Sequence, residues 1–330
     1  MLTKKRRYFM LIPILLFLVG LVFLIKGGDW FVDGATGIAH RFRIPEILIG
    51  ATVVSIGTTL PEVMVSAGAA LGGHGEIAYG NAIGSIICNT SLIAALTIAI
   101  RPSVVNRKPL VLSVVFFYIA AIFYASVAYF FGDFSIVVGI VLISIFVVYM
   151  IISVIQAKKS LSENKNEEKS ESDGSLWKEL VLLVLGAAVI AVGADLLVDN
   201  GTIIAEMLGV PESVIALTFV ALGTSLPELV TAVTSLIKGH SALSLGNIIG
   251  ANLFNLVLVS GVSTVLSPFP VPNSSQIFGM NTSLAVEIPV MFLVMSIMVI
   301  PALIRGKLSR AQGILLLAIY ASFCVFQFAI

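Results

Sequence analysis

Two hexapeptides, Gly57-Thr58-Thr59-Leu60-Pro61-Glu62 and Gly223-Thr224-Ser225-Leu226-Pro227-Glu228, each place a carboxylate beside a proline inside a long apolar run. An ionisable group at the centre of a bilayer costs on the order of 2.5–3.5 kcal/mol even on the lenient insertion scale, so two of them need compensation. Each proline removes an amide donor and clashes with the carbonyl four residues back, which frees the Gly57 and Gly223 carbonyls. Four-residue spacing puts Thr58 on the face of Glu62 and Thr224 on the face of Glu228. Two further apolar runs carry polar stripes, Asn81-Ser85-Asn89 and Asn247-Ala251-Asn255, at the same spacing. An all-oxygen set with two carboxylates, and no thiolate or imidazole in register, suits a hard cation such as Ca²⁺, which takes about 6–8 oxygens. Two ionised glutamates would balance one Ca²⁺.

The elements that must position these groups are membrane spans. The 330 residues are 58% hydrophobic and 11% charged, with a mean hydropathy of +1.08; a soluble domain carries roughly 25% charged residues. The net charge of +1 gives no basic surface for nucleic acid. Ten runs approach the roughly 20 apolar residues a spanning helix needs: Met10–Ile25, Ile47–Ala70, Ile77–Ile100, Leu110–Phe131, Phe134–Ile155, Leu176–Val198, Val214–Ile237, Ala242–Leu266, Val286–Ile304 and Ala311–Ile330. The expected class is an all-α membrane protein of ten transmembrane helices. The first run follows Lys4-Lys5-Arg6-Arg7 without a small-residue cleavage site after it, so it reads as a retained helix and not a signal peptide. Between the fifth and sixth runs the chain is rich in Ser, Glu, Lys and Asn, which predicts a solvated linker at residues 157–175 between five-helix units at 8–156 and 176–330. Cys88 and Cys324 lie inside apolar runs and form no disulfide framework.

The two units repeat each other at an offset of 166. That offset pairs Glu62 with Glu228, Gly27 with Gly193, Asp29 with Asp195, Asp33 with Asp199, His74 with His240, Asn81 with Asn247 and Asn89 with Asn255, among others, without a gap. Five spans is an odd number, so the second unit enters the membrane from the opposite face. Such inverted repeats place a substrate site at the midplane between them. Gly80 and Gly84, like Gly246 and Gly250, follow the small-xxx-small pattern of close helix approach. The loops after odd-numbered spans hold 15 of the 19 Lys and Arg residues. The positive-inside rule then puts them and the linker in the cytoplasm, with both termini outside.

The duplicated G-T-[ST]-L-P-E motif, each followed by a G-N-x-I-G block, resembles the repeats of the calcium/cation antiporter superfamily, in particular the prokaryotic sodium/calcium exchangers. By that resemblance Thr58, Thr59, Glu62, Ser85 and Asn89, with Thr224, Ser225, Glu228 and Asn255, would surround shared Ca²⁺ and Na⁺ sites, joined by backbone carbonyls near Ser55 and Ala221. Related exchangers often have a third acid at the position of Asn255 and a hydroxyl at that of Ala251, so this chain's site carries less negative charge and one potential Na⁺ ligand fewer. The implied function is exchange of Ca²⁺ for Na⁺ by alternating access in a prokaryotic plasma membrane. The alternatives are a Ca²⁺/H⁺ antiporter and a cation channel. There is no H-E-x-x-H, P-loop or nucleophile-elbow motif, so neither an enzyme nor a resident cofactor is expected, nor an obligate protein partner. The aspartates at 29, 33, 195 and 199 are read as solvated or capping groups, His74 and His240 as surface residues, Cys88 as packing, and the fourth span as lipid-facing because it lacks a polar stripe.

Overall fold

The computed structural model describes residues 4–163, 175–208, 223–273, 276–277 and 279–329. The apolar runs fold as helices: α1 (Lys4–Arg41), α2 (Glu46–Leu71), α3 (Gly75–Ile100), α4 (Arg107–Phe130), α5 (Ile136–Glu163), α6 (Leu176–Met207), α7 (Leu226–Ile237), α8 (Ser241–Leu266), α9 (Ser283–Arg305) and α10 (Arg310–Ala329). Among the described residues nine of these are long and apolar enough to cross a bilayer. The run that α7 belongs to begins outside the described residues, as does most of the linker. Two short antiparallel pairings, Asp133–Phe134 with Phe269–Pro270 and Gln276–Ile277 with Met280–Asn281, organise loops at one end. The chain is an all-α integral membrane protein built from two inverted repeats.

The first helix is longer than its apolar run. It was expected to end near Ile25, yet it continues through Lys26-Gly27-Gly28-Asp29-Trp30 to Arg41, a span of 38 residues, or about 57 Å at 1.5 Å per residue. Charge lowers hydropathy without interrupting the hydrogen-bond ladder, and no proline intervenes until Pro45, whose ring disfavours helix in the residue before it. Asp29 and Asp33 are therefore mid-helix. They are also not simply solvated: Lys238 Nζ lies 2.8 Å from Asp33 Oδ1 and 3.4 Å from Asp29 Oδ1, and donates to the Asp29 carbonyl at 2.9 Å.

Helices α1 and α6 pack backbone against backbone. A Cβ on Gly20 would stand 2.8 Å from the Gly193 carbonyl oxygen, and one on Gly193 2.9 Å from that of Gly20. A Cβ on Gly27 would meet Ile190 N at 2.8 Å, and one on Gly186 would meet Phe31 N at 2.5 Å. The offset of 166 relates Gly20 to Gly186 and Gly27 to Gly193, so the seam obeys the two-fold relation between the halves. Leu24, Phe31, Val32 and Ala35 of α1 join Leu183, Ile190 and Ala194 of α6 in one apolar cluster, separate from a larger one built mainly on α3, α4, α8 and α9.

The fourth span corrects an expectation. Phe117, Ala120, Ala121 and Tyr124 of α4 are fully buried, and the Tyr124 ring lies 4.5 Å from that of Phe134; only the opposite face, with Val111, Val115, Ile119 and Ile122, is exposed. A helix without polar residues can bury an apolar face in protein as readily as in lipid, so the missing stripe decided nothing. Close approach at Gly246 and Gly250 seats α8 on α2, where added Cβ atoms would fall 2.2 Å from the Ile47 carbonyl oxygen and 2.3 Å from Ser55 Oγ. Gly80 and Gly84 have nothing within 4 Å of such a Cβ among the described residues. The repeat equivalents of Ile47 and Ser55, at 213 and 221, lie outside them.

The loops that follow odd-numbered helices meet at one end of the bundle. Arg41 Nε sits 2.7 Å from Glu179 Oε2, and Arg101 donates to the Leu236 carbonyl and Arg310 to that of Ala99. His240 is not a free surface residue, since its Nδ1 donates to Glu46 Oε1 at 2.8 Å; its repeat mate His74 is exposed.

Candidate functional site

Three of the helices that carry candidate residues contain a change of local geometry. Helix α2 contains a π turn at Gly50–Val54, α3 one at Asn89–Ala94 and α8 one at Asn255–Val259. Such turns interrupt the regular ladder and recur at functional sites. Asn89 and Asn255, equivalent in the repeat, are each the first residue of theirs. The proline motifs behave differently in the two halves. Pro61 lies inside a continuous helix, Ser55–Leu71, whereas Thr224 and Ser225 form a turn and α7 starts at Leu226. Pro227 then occupies the first helical turn, where its missing amide leaves no bond unmade.

The four helices α2, α3, α7 and α8 bring the candidates together. Glu62 and Glu228 are both 0% exposed, none of their four carboxylate oxygens has a hydrogen-bond partner among the described residues, and they lie within electrostatic reach of each other. The Thr58 and Thr59 hydroxyls stand beside the Glu228 carboxylate, outside hydrogen-bond geometry. Two reciprocal bonds cross between the halves: Thr58 Oγ1 donates to Asn247 Oδ1 at 3.1 Å, and Thr224 Oγ1 to Asn81 Oδ1 at 3.2 Å. Asn81 also donates to Ser66 Oγ at 2.8 Å, and Ser55 Oγ to the Asn247 carbonyl at 2.9 Å. Asn81 and Asn247 thus tie helices together, the plain role available to a polar stripe.

The remaining candidates are left unbonded. Thr59 Oγ1, Ser225 Oγ and both amide atoms of Asn89 and of Asn255 are buried without a partner among the described residues. Ser85 is buried on α3, and Thr224 is half-buried. Each unmatched buried polar group costs about 1–3 kcal/mol, and a charged one more. Six side chains from α2, α3, α8 and the start of α7 carry that cost together, which a cation of matching charge would offset. The Ala221 carbonyl lies outside the described residues.

Two residues escaped the sequence reading. Thr231 and Ser235 follow Glu228 at three- and seven-residue spacing on α7, both 0% exposed and both with side-chain hydroxyls that lack a partner among the described residues. Their first-half equivalents are Val65 and Ala69, so comparing the repeats passed over them; the helical spacing from Glu228 was the available signal. A cavity of about 750 Å³ is lined by α1, α2, α6 and the start of α7 and reaches both Thr58 and Thr224.

Comparison with known proteins accords with this geometry. The family model described as sodium/calcium exchanger protein matches residues 12–155 and 178–329. An uncharacterised membrane protein of Methanocaldococcus jannaschii is 34% identical over 92% of this chain and 94% of its own length. The sodium/calcium exchanger MaX1 of Methanosarcina acetivorans is 32% identical, covering 96% of this chain and 98% of its own. Among solved structures, the sodium-calcium exchanger NCX_Mj soaked with 2.5 mM Na⁺ and 10 mM Sr²⁺ superposes with a TM-score of 0.78 at 34% identity, over 94% of this chain and 97% of that one.

Proposed function

The chain belongs to the sodium/calcium exchanger protein family, whose members are transporters and not enzymes, and from that premise we propose that it extrudes Ca²⁺ in exchange for Na⁺ by alternating access. The observation that carries this reading is the pair of fully buried glutamates, one from each half, with four unbonded carboxylate oxygens in reach of each other. Two ionised carboxylates neutralise one Ca²⁺. Thr58, Thr59, Ser85, Asn89, Thr224, Ser225 and Asn255 supply neutral oxygens of the kind hard cations take. Na⁺ competes for the same oxygens, so the two ions exclude each other.

Coupling follows from the cost of the empty site. Two uncompensated carboxylates occluded in a low-dielectric core repel each other and have lost their water. The empty transporter therefore does not switch, and either loaded form does. The glycine seam between α1 and α6, and the cavity that α1 and α6 line together with α2 and α7, support a division into an α1–α6 pair and a core that move against each other. The basic ends of the odd-numbered loops favour a cytoplasmic location for that face and for the linker at 157–175 between units 8–156 and 176–330, with both termini outside. Neutral Asn255 leaves two acids at the centre and so favours Na⁺ over H⁺ as counter-ion.

The test is Ca²⁺ uptake into proteoliposomes loaded with Na⁺, with K⁺ or with excess protons, side by side. Uphill uptake only with internal Na⁺ is the expected result. Uptake driven by the proton load would make the protein a Ca²⁺/H⁺ antiporter, and passive flux indifferent to all three would make it a channel.

A further inference from the structure

Helix α9 opens with a π turn, Ser283–Glu287, whereas its counterpart in the first half, α4, is regular helix from Arg107 to Phe130. The turn sets Glu287 about one helical turn inside the membrane from the α8–α9 loop, half-buried. Its Oε1 accepts from Gln327 Nε2 of α10 at 3.2 Å, a neutral donor. Among the described residues no lysine, arginine or histidine forms an ion pair with it.

Two buried phenols, one on α3 and one on α4, interact electrostatically with this carboxylate. Tyr79 and Tyr124 are 1% and 0% exposed, and neither hydroxyl has a hydrogen-bond partner among the described residues. Both hydroxyls are within electrostatic reach of Glu287; that of Tyr79 also stands beside the Ser283 hydroxyl, and that of Tyr124 beside the Ser260 hydroxyl of α8. Their rings lie 6.1 Å apart and both pack on Phe134, so neither is free to swing out to water. The Tyr129 hydroxyl donates to the Leu284 carbonyl within the π turn. A carboxylate without a cation and two buried phenol oxygens without partners are the kind of unmatched set that a native fold retains for an ion.

We propose that Glu287, Ser283, Tyr79 and Tyr124 form a second cation site, separate from the one between the glutamates and absent from the other half, that takes one Na⁺. The charge count sets the valence: one carboxylate neutralises one monovalent ion, while a divalent ion would leave an unbalanced charge in a largely apolar setting. Hydroxyl and carboxylate oxygens are hard donors, which selects an alkali cation over a transition metal. The site stands whether or not the central pair exchanges Ca²⁺.

The experiment counts ²²Na⁺ bound per molecule of the purified full chain in detergent, by scintillation proximity at saturation. E287Q should bind one Na⁺ fewer than the native chain, and Y79F/Y124F, which keeps the charge but removes two ligands, should lose that ion or hold it about tenfold more weakly. In E62Q/E228Q, where the central site is disabled, one Glu287-dependent Na⁺ should remain and equimolar Ca²⁺ should not displace it. An unchanged count in E287Q overturns the proposal, and so does displacement of that ion by Ca²⁺. Where E62Q/E228Q is not monodisperse, the two counts in the otherwise native chain decide.

Discussion

The same six-residue motif is carried by α2 within one unbroken helix and by α7 at the start of a new one. Around it the halves diverge further. In the first, Ser66 is bonded by Asn81; in the second, the Thr231 and Ser235 hydroxyls have no partner among the described residues. The acidic pair of α1 is held by Lys238, whereas Asp195 and Asp199 on α6 have no ion-pair partner among the described residues, and the position equivalent to Lys238 is Gly72. Duplication supplies matching ligands, and divergence around them makes the two ends of the molecule different.

The largest test of the shared part is the glutamate pair. E62Q and E228Q should each cut Na⁺-dependent Ca²⁺ uptake by at least about a hundredfold, since either change leaves one charge against a divalent ion in a desolvated site. A strongly unequal pair of losses would break the equivalence of the halves at its centre. Next in size is the packing under the second polar stripe. G246A drives a Cβ to within 2.2 Å of the Ile47 carbonyl oxygen and should destabilise by about 1–3 kcal/mol, as overpacking does. Thermal unfolding of the variant in detergent measures the loss. The smallest effect concerns the ends. K238M releases α1 from α7 and should move the ratio of half-saturating Ca²⁺ on the two faces by up to about fivefold, the range of a partly exposed ion pair. G72K, which places a cation at the equivalent position of the other half, should move that ratio the opposite way. No shift in either variant would mean that the Lys238 contact does not bias the two forms.

Much of the scaffold was legible because an inverted repeat writes its own symmetry into the chain: the offset of 166 led to the two glutamates and to Asn81 and Asn247, whose bonds cross between the halves. Boundaries followed hydropathy well for α3 and α8. They failed for α1, where charge at Lys26 and Asp29 marked an end that the backbone ignores. The π turns at Asn89 and Asn255 are shifts of hydrogen-bond register, which leave no trace in composition. Features without a mate were the hardest to see. Thr231 and Ser235 stand opposite Val65 and Ala69 in the repeat, and the Glu287 turn is opposite ordinary helix, so the comparison that exposed the centre hid them.

The glycine seam between α1 and α6 also constrains how the molecule is made. About 160 residues separate Gly27 from Gly186, so a ribosome adding about 5–20 residues per second needs roughly 8–30 s to deliver the second strip after the first. During that interval α1 sits in lipid with its glycine strip uncovered, and Thr58 and Asn81 wait for Asn247 and Thr224 to arrive. The nascent first half is thus an incomplete molecule in chemical as well as geometric terms, and the bilayer must shelter it until its twin is inserted.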